Sequence, residues 1–125
     1  MRAAQVNSVI AAGLLTVLGS YDSANAQQMK CETGPLQRTY GSTPWLVYSC
    51  NDGRSIAIVS VPGSPASPFY FFLHPSNGGY RVEGEGTGDK SITDHALAEL
   101  QQLSEAKIAT LIDETRKVQN STRPN

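Results

Sequence analysis

The chain has little of what usually marks a metalloprotein, a redox protein or a nucleic-acid binder. It holds two histidines and two cysteines. They share neither a Cys-x-x-Cys nor a paired-histidine motif, so the sequence spells no zinc site, redox pair or cofactor site. Charge of neither sign dominates: ten Lys and Arg stand against eleven Asp and Glu, for a net charge of −1. That balance excludes nucleic acid and anionic lipid as main partners, because both require a basic field. The longest apolar stretch, Val9 to Leu18, falls well short of the roughly 20 residues a helix needs to cross a bilayer core. A membrane anchor is therefore not expected. Low-complexity sequence is confined to Pro62-Gly63-Ser64-Pro65-Ala66-Ser67-Pro68, which reads as a loop.

What is present begins with a leader. Arg2, the apolar stretch broken only by Gly13 and Thr16, and the small-residue site Ala24-Asn25-Ala26 have the order of a secretory signal peptide over residues 1–26. The alanine-rich composition is bacterial in style, and no cysteine follows the cut to take a lipid. Release before Gln27 leaves 99 residues, enough for one domain over 27–125 and too few for two. The expected location is the periplasm or the medium. In an oxidising space the two thiols, Cys31 and Cys50, are expected to join. Closing that loop stabilises the fold by about 3 kcal/mol in the chain-entropy account.

Between Met29 and Glu85 the sequence has the punctuation of an antiparallel sheet. Trp45–Cys50 and Ser55–Val61 are β-branched and aromatic runs, with a tight turn at Asn51-Asp52-Gly53-Arg54. Phe69–His74 and Gly79–Glu85 form a second pair around Pro75-Ser76-Asn77-Gly78. Met29–Tyr40 supplies one strand or two short ones, interrupted at Gly34-Pro35. If Tyr40 faced Trp45 in an unbroken hairpin, Cys31 would miss Cys50 by about 13 Å along the strand. The disulfide thus requires a bend at Gly34-Pro35 or a wider loop before Trp45.

After Glu85 the period changes to that of a helix. Ser91 and Asp94 have cap-box spacing, and Ile92, Ala96, Leu97, Leu100 and Leu103 follow along one face. Ser104, with Leu103 and Ile108 as a hydrophobic staple, starts a second helix or a kink, and residues from Asn120 are expected to fray. Strands first and helices last give an α+β domain: a curved antiparallel sheet of four or five strands over 27–90, with one kinked or two C-terminal helices over 91–119. Helices cover one face only. The expectation is a sheet that curls to bury both sides; the alternative leaves an aromatic second face open.

The tempting chemical motifs fail on their own residues. Gly84-Glu85-Gly86-Thr87-Gly88-Asp89-Lys90-Ser91 lies where a phosphate loop would, yet Asp89 replaces the glycine before the lysine and repels phosphate. Its glycines read as a flexible connection. Glu83 and Glu85 share a strand face and read as a solvated pair. His74 ends a strand and His95 sits in the first helical turn beside Asp94; no serine occupies a Gly-x-Ser-x-Gly elbow.

Tyr48-Ser49-Cys50-Asn51-Asp52-Gly53-Arg54, followed by an apolar strand, resembles the Tyr-x-Cys-x-x-Gly segment of the small periplasmic inhibitors of C-type lysozyme, which are disulfide-tied β-barrels. The likeness spans about fifteen residues. The chain lacks the Ser-Ala-Ser-Gly segment that carries inhibition in that family and adds a helical end, so no inhibitory residue transfers. What the resemblance implies is a class. The expected role is a non-catalytic envelope binding or inhibitor-like module whose contact surface involves Trp45, Tyr48, Tyr70 and Phe72 or the Pro62–Pro68 loop, with another envelope protein as partner. The alternatives are a small periplasmic hydrolase pairing His74 or His95 with Glu83 or Asp94, and a structural or stress-related envelope component that self-associates and presents no pocket. Mass spectrometry of the native product is expected to find Gln27 as the first residue and no free thiol.

Overall fold

A computed structural model describes residues 28–122, so the proposed signal peptide and the last three residues lie outside the described part. Five strands, β1 (Thr33–Tyr40), β2 (Thr43–Ser49), β3 (Ile56–Ser60), β4 (Phe69–Ser76) and β5 (Gly79–Gly86), form one antiparallel sheet in chain order. Two helices follow, α1 (Lys90–Leu100) and α2 (Glu105–Thr122). The fold is α+β with two helices rather than a kinked one. The sheet does not close, in contrast to the barrel implied by the resemblance and to the curled sheet expected from the alternation.

Turn chemistry sets the register. Gly41 and Ser42 both adopt positive φ, 61° and 62°, and pair Tyr40 with Thr43 through a two-residue loop. Such a loop matches the right-handed twist of the flanking strands. The loop is therefore tighter, not wider, than the sequence implied, and β2 starts two residues earlier. A bulge between Thr33 and Leu36, at Gly34-Pro35, then shifts the pairing by one residue so that Thr33 meets Ser49. Tight turn and bulge together bring Cys31 beside Cys50, and the disulfide forms. Asn77 and Gly78, also at positive φ, turn β4 into β5, so Pro75 and Ser76 belong to the strand and not to the turn. Between β2 and β3 the Asp52 carboxylate accepts hydrogen bonds from the N–H groups of Arg54 and Ser55, both at 2.9 Å, and from the Ser55 hydroxyl at 2.6 Å.

Alternation assigns the faces. Leu36, Trp45, Val47, Ile56, Ile58, Phe71 and Leu73 point to one side and are buried beneath Ala96, Leu100, Ile108, Leu111 and Ile112 of the helices. Trp45 is 0% exposed, lies 5.2 Å from Phe71 between ring centroids, and donates its indole N–H to the Tyr40 carbonyl at 3.2 Å. Helix α2 is fixed by the buried Thr115 hydroxyl, which donates to Ser49 at 2.7 Å, and by the Arg38–Glu114 ion pair at 2.7 Å. Helix α1 rests so close to the first turn that a Cβ on Gly41 would stand 2.6 Å from the Ala96 nitrogen.

The cap of α1 is Asp89, whose carboxylate accepts from the Ser91 N–H at 3.0 Å, and not Ser91 with Asp94; Asp94 instead pairs with Lys90 at 3.0 Å. Ser104 caps α2 as its spacing implies, accepting from the Lys107 N–H at 3.1 Å. Residues 120–122 continue α2 rather than fray, because Ser121 and Thr122 return hydrogen bonds to the Val118 carbonyl. The glycines of the connection are packing positions, not flexible ones: a Cβ on Gly88 would lie 1.8 Å from the Ala66 oxygen. The Pro62–Pro68 loop is likewise docked, with Pro65 accepting from the Asp89 N–H and Pro68 from those of Thr87 and Gly88. Trp45→Ala is expected to cost about 3–5 kcal/mol in denaturant unfolding, because the cavity opens under both helices.

Candidate functional site

The second face of the sheet carries the residues of opposite parity. Register aligns them in two rows across the strands. One row runs Gln37, Leu46, Val59, Tyr70, Glu85, and the next runs Tyr48, Ala57, Phe72, Glu83. Tyr48, Leu46, Val59 and Phe72 are half-buried by one another, whereas Tyr70 is 44% exposed. Among the described residues no helix lies over these rows. The face is apolar and aromatic at its centre and acidic at its β5 margin.

A depression of about 530 Å³ sits on this face. It is lined by Ala57, Tyr70 and Phe72 of the sheet, by Met29 and Cys31 of the amino-terminal segment, and by Glu83, Gly84 and Glu85 of β5. The amino-terminal segment is held by two sets of bonds. The disulfide ties Cys31 to Cys50. Asn51 accepts from the Lys30 N–H at 3.2 Å, donates its backbone N–H to the Lys30 carbonyl at 2.7 Å and its side-chain N–H to the Gln28 carbonyl at 3.2 Å. Met29 is thereby presented at 47% exposure. A second, shallower hollow adjoins, reaching from Tyr70 and Glu85 over Val59 to Pro62 and Pro68. Tyr70 and Glu85 line both hollows.

Three of the four aromatic residues expected at the surface are on this face. Tyr70 and Phe72 line the depression, and Tyr48 lies in the same cross-strand row as Phe72. Trp45 is a correction: it stands three residues from Tyr48, hence on the opposite face, and it fills the core. The Pro62–Pro68 loop contributes Pro62, Ser67 and Pro68 to the shallower hollow. Met29 was missed by the sequence reading because only the disulfide and the Asn51 bonds carry its segment onto the sheet; a Met two residues before a bridging cysteine is the signal available.

The electrostatics are local. The Tyr70 hydroxyl donates to Glu85 Oε1 at 2.9 Å, and that hydrogen bond, with the carboxylate's charge, holds the phenol above its ordinary value near 10. His74 Nε2 lies 3.5 Å from Glu83 Oε2, and its ring stacks on Phe72 with centroids 5.0 Å apart. Arg81 Nε reaches the same Glu83 oxygen at 3.3 Å. Among the described residues His74 has no serine, threonine or cysteine hydrogen-bonded to it, His95 is exposed without an ion pair, and no group of three metal-ligating side chains converges. What the arrangement offers is a contact surface with a hydrogen-bonding phenol and an acidic edge.

Comparison with known proteins returned no match: no family model, no characterised sequence and no solved structure is similar enough to assign a family. Among the described residues no helix is long and apolar enough to cross a membrane. Glu85→Gln is expected to lower the Tyr70 pKa toward the ordinary tyrosine value, read by ultraviolet or NMR titration. The sign follows from the protonated phenol being the donor: the bond persists below the Tyr70 pKa and is lost as pH rises through it.

Proposed function

We propose that the protein is an exported, non-catalytic binding or inhibitor-like module of the cell envelope, and that it grips another envelope protein with the open face of its sheet. The observation that carries this reading is the one-sided packing: helices bury one face, and the other keeps aromatic side chains around a hollow. Contiguous exposed apolar surface of this kind is characteristic of interaction sites. Tyrosines, which combine apolar area with a hydroxyl at low entropic cost, are the residues that such contacts favour. A partner presenting an apolar side chain flanked by Lys or Arg fits the hollow and its Glu83 and Glu85 margin.

The disulfide supports export to an oxidising compartment, the periplasm or the medium. It also has a place in the reading, since it holds Met29 and Cys31 against the hollow. A hydrolase built on His74 and Glu83 has less support: Glu83 is exposed, His74 is half-buried, and no nucleophile adjoins the pair among the described residues. A purely structural component would present no hollow.

The test is capture of envelope proteins by the chain beginning at Gln27, with Tyr70→Ser plus Phe72→Ser compared with the parent. The specifically captured protein is expected to fall at least about tenfold in the variant while the fold, read by circular dichroism, is kept. Equal capture by both would remove the open face as the contact surface.

A further inference from the structure

The two edges of the sheet are not alike. β1 is engaged by α2, through the Gly34 N–H donated to Gln119 at 3.0 Å and through the Arg38–Glu114 pair. β5 is the last strand, eight residues long, without proline. Thr87 donates its N–H to Pro68 across the β4–β5 register, so residues of that parity, 81, 83 and 85, bond inward to β4. Tyr80, Val82 and Gly84 therefore turn their N–H and C=O groups outward. An edge with outward-facing N–H and C=O groups is a template for another strand.

We infer that this edge pairs with the β5 edge of a second copy, antiparallel about a two-fold axis through Val82. The charge pattern selects the occupant and the register. Two-fold pairing with outward groups facing one another permits only even steps. With Val82 opposite the partner's Val82, Arg81 stands opposite the partner's Glu83, twice by symmetry, and no like charges meet. One step in one direction keeps two opposite pairs, Arg81 with Glu85, but adds Glu83 against Glu83, and a further step sets Glu83 against Glu85 twice. One step the other way sets Arg81 against Arg81. Opposite-charge cross-strand pairs stabilise and like pairs destabilise, so the Val82 register, which combines two opposite pairs with no like pair, is the most favourable.

The helix-facing side agrees with that choice. Val82 meets Val82 at the axis, and Tyr80 lies opposite Gly84, which has no side chain to obstruct it. Room exists there: a groove of about 510 Å³ separates β5 from α1, between Val82 and Leu97. Helix α1 starts beyond the Gly86 end of the strand, and antiparallel pairing puts the two Gly86 residues about 26 Å apart along it, so the starts of the two α1 helices stay apart. The product is a ten-stranded sheet with six interchain backbone hydrogen bonds and two open faces on the same side.

Sedimentation velocity on the oxidised chain beginning at Gln27, from micromolar to several hundred micromolar, tests the inference. A monomer–dimer equilibrium is expected. Arg81→Glu and Glu83→Arg should each weaken it about tenfold or more, and the double variant Arg81→Glu with Glu83→Arg should return to near the parent constant. Val82→Pro, which deletes an outward N–H, should give a monomer with the circular dichroism of the parent. A monomer throughout the range overturns the inference. So does a dimer indifferent to both single charge reversals, or a double variant as weak as the singles. Capture by the open face is read separately, with Tyr70→Ser plus Phe72→Ser, which leaves the charges and backbone groups of the β5 edge unchanged.

Discussion

One sheet has two faces, and among the described residues helices cover one of them. That constraint organises the molecule. The helices must lie where the largest side chains are, so Trp45, Phe71, Ile56 and Ile58 face them and are buried. The opposite face carries Leu46, Tyr48, Ala57, Val59, Tyr70 and Phe72, apolar and aromatic side chains of which Tyr70 is the most exposed.

The disulfide acts on the same constraint from the other side. It joins the segment before β1 to the end of β2, and with Asn51 it lays Met29 and Cys31 along part of the face that the helices leave uncovered. A hollow results where a flat surface would otherwise lie. Bracing of a small core and shaping of a surface are therefore one act of the same bond.

Glycines serve contact rather than mobility. Gly41 admits α1 onto the first turn, and Gly88 admits Ala66 against the start of α1. These close approaches lock the strand-to-helix connection and the proline-containing loop together. The molecule consequently has its free hydrogen-bonding groups at β5 and its free apolar area on the open face, two distinct surfaces that share Glu83 and Glu85 as their border.

Local chemistry in the sequence determined the element types, the strand order of two hairpins, the change to helical period after Glu85 and the pairing of two cysteines, because turn residues, periodicity and caps act within a few positions. It also separated the two faces: alternation alone puts Trp45 opposite Tyr48, and the expectation that both lie at the surface disregarded that parity. Only the tertiary structure decided which face the helices would take, that the sheet would stay open, and that Met29 would join Tyr70 and Phe72. Those outcomes rest on a two-residue turn at Gly41-Ser42, a one-residue bulge at Gly34-Pro35 and the docking of Ala96 on Gly41. Each is a contact between residues distant in sequence or a shift of a single position, and a period-two pattern reads the same before and after the whole strand pair slides by two.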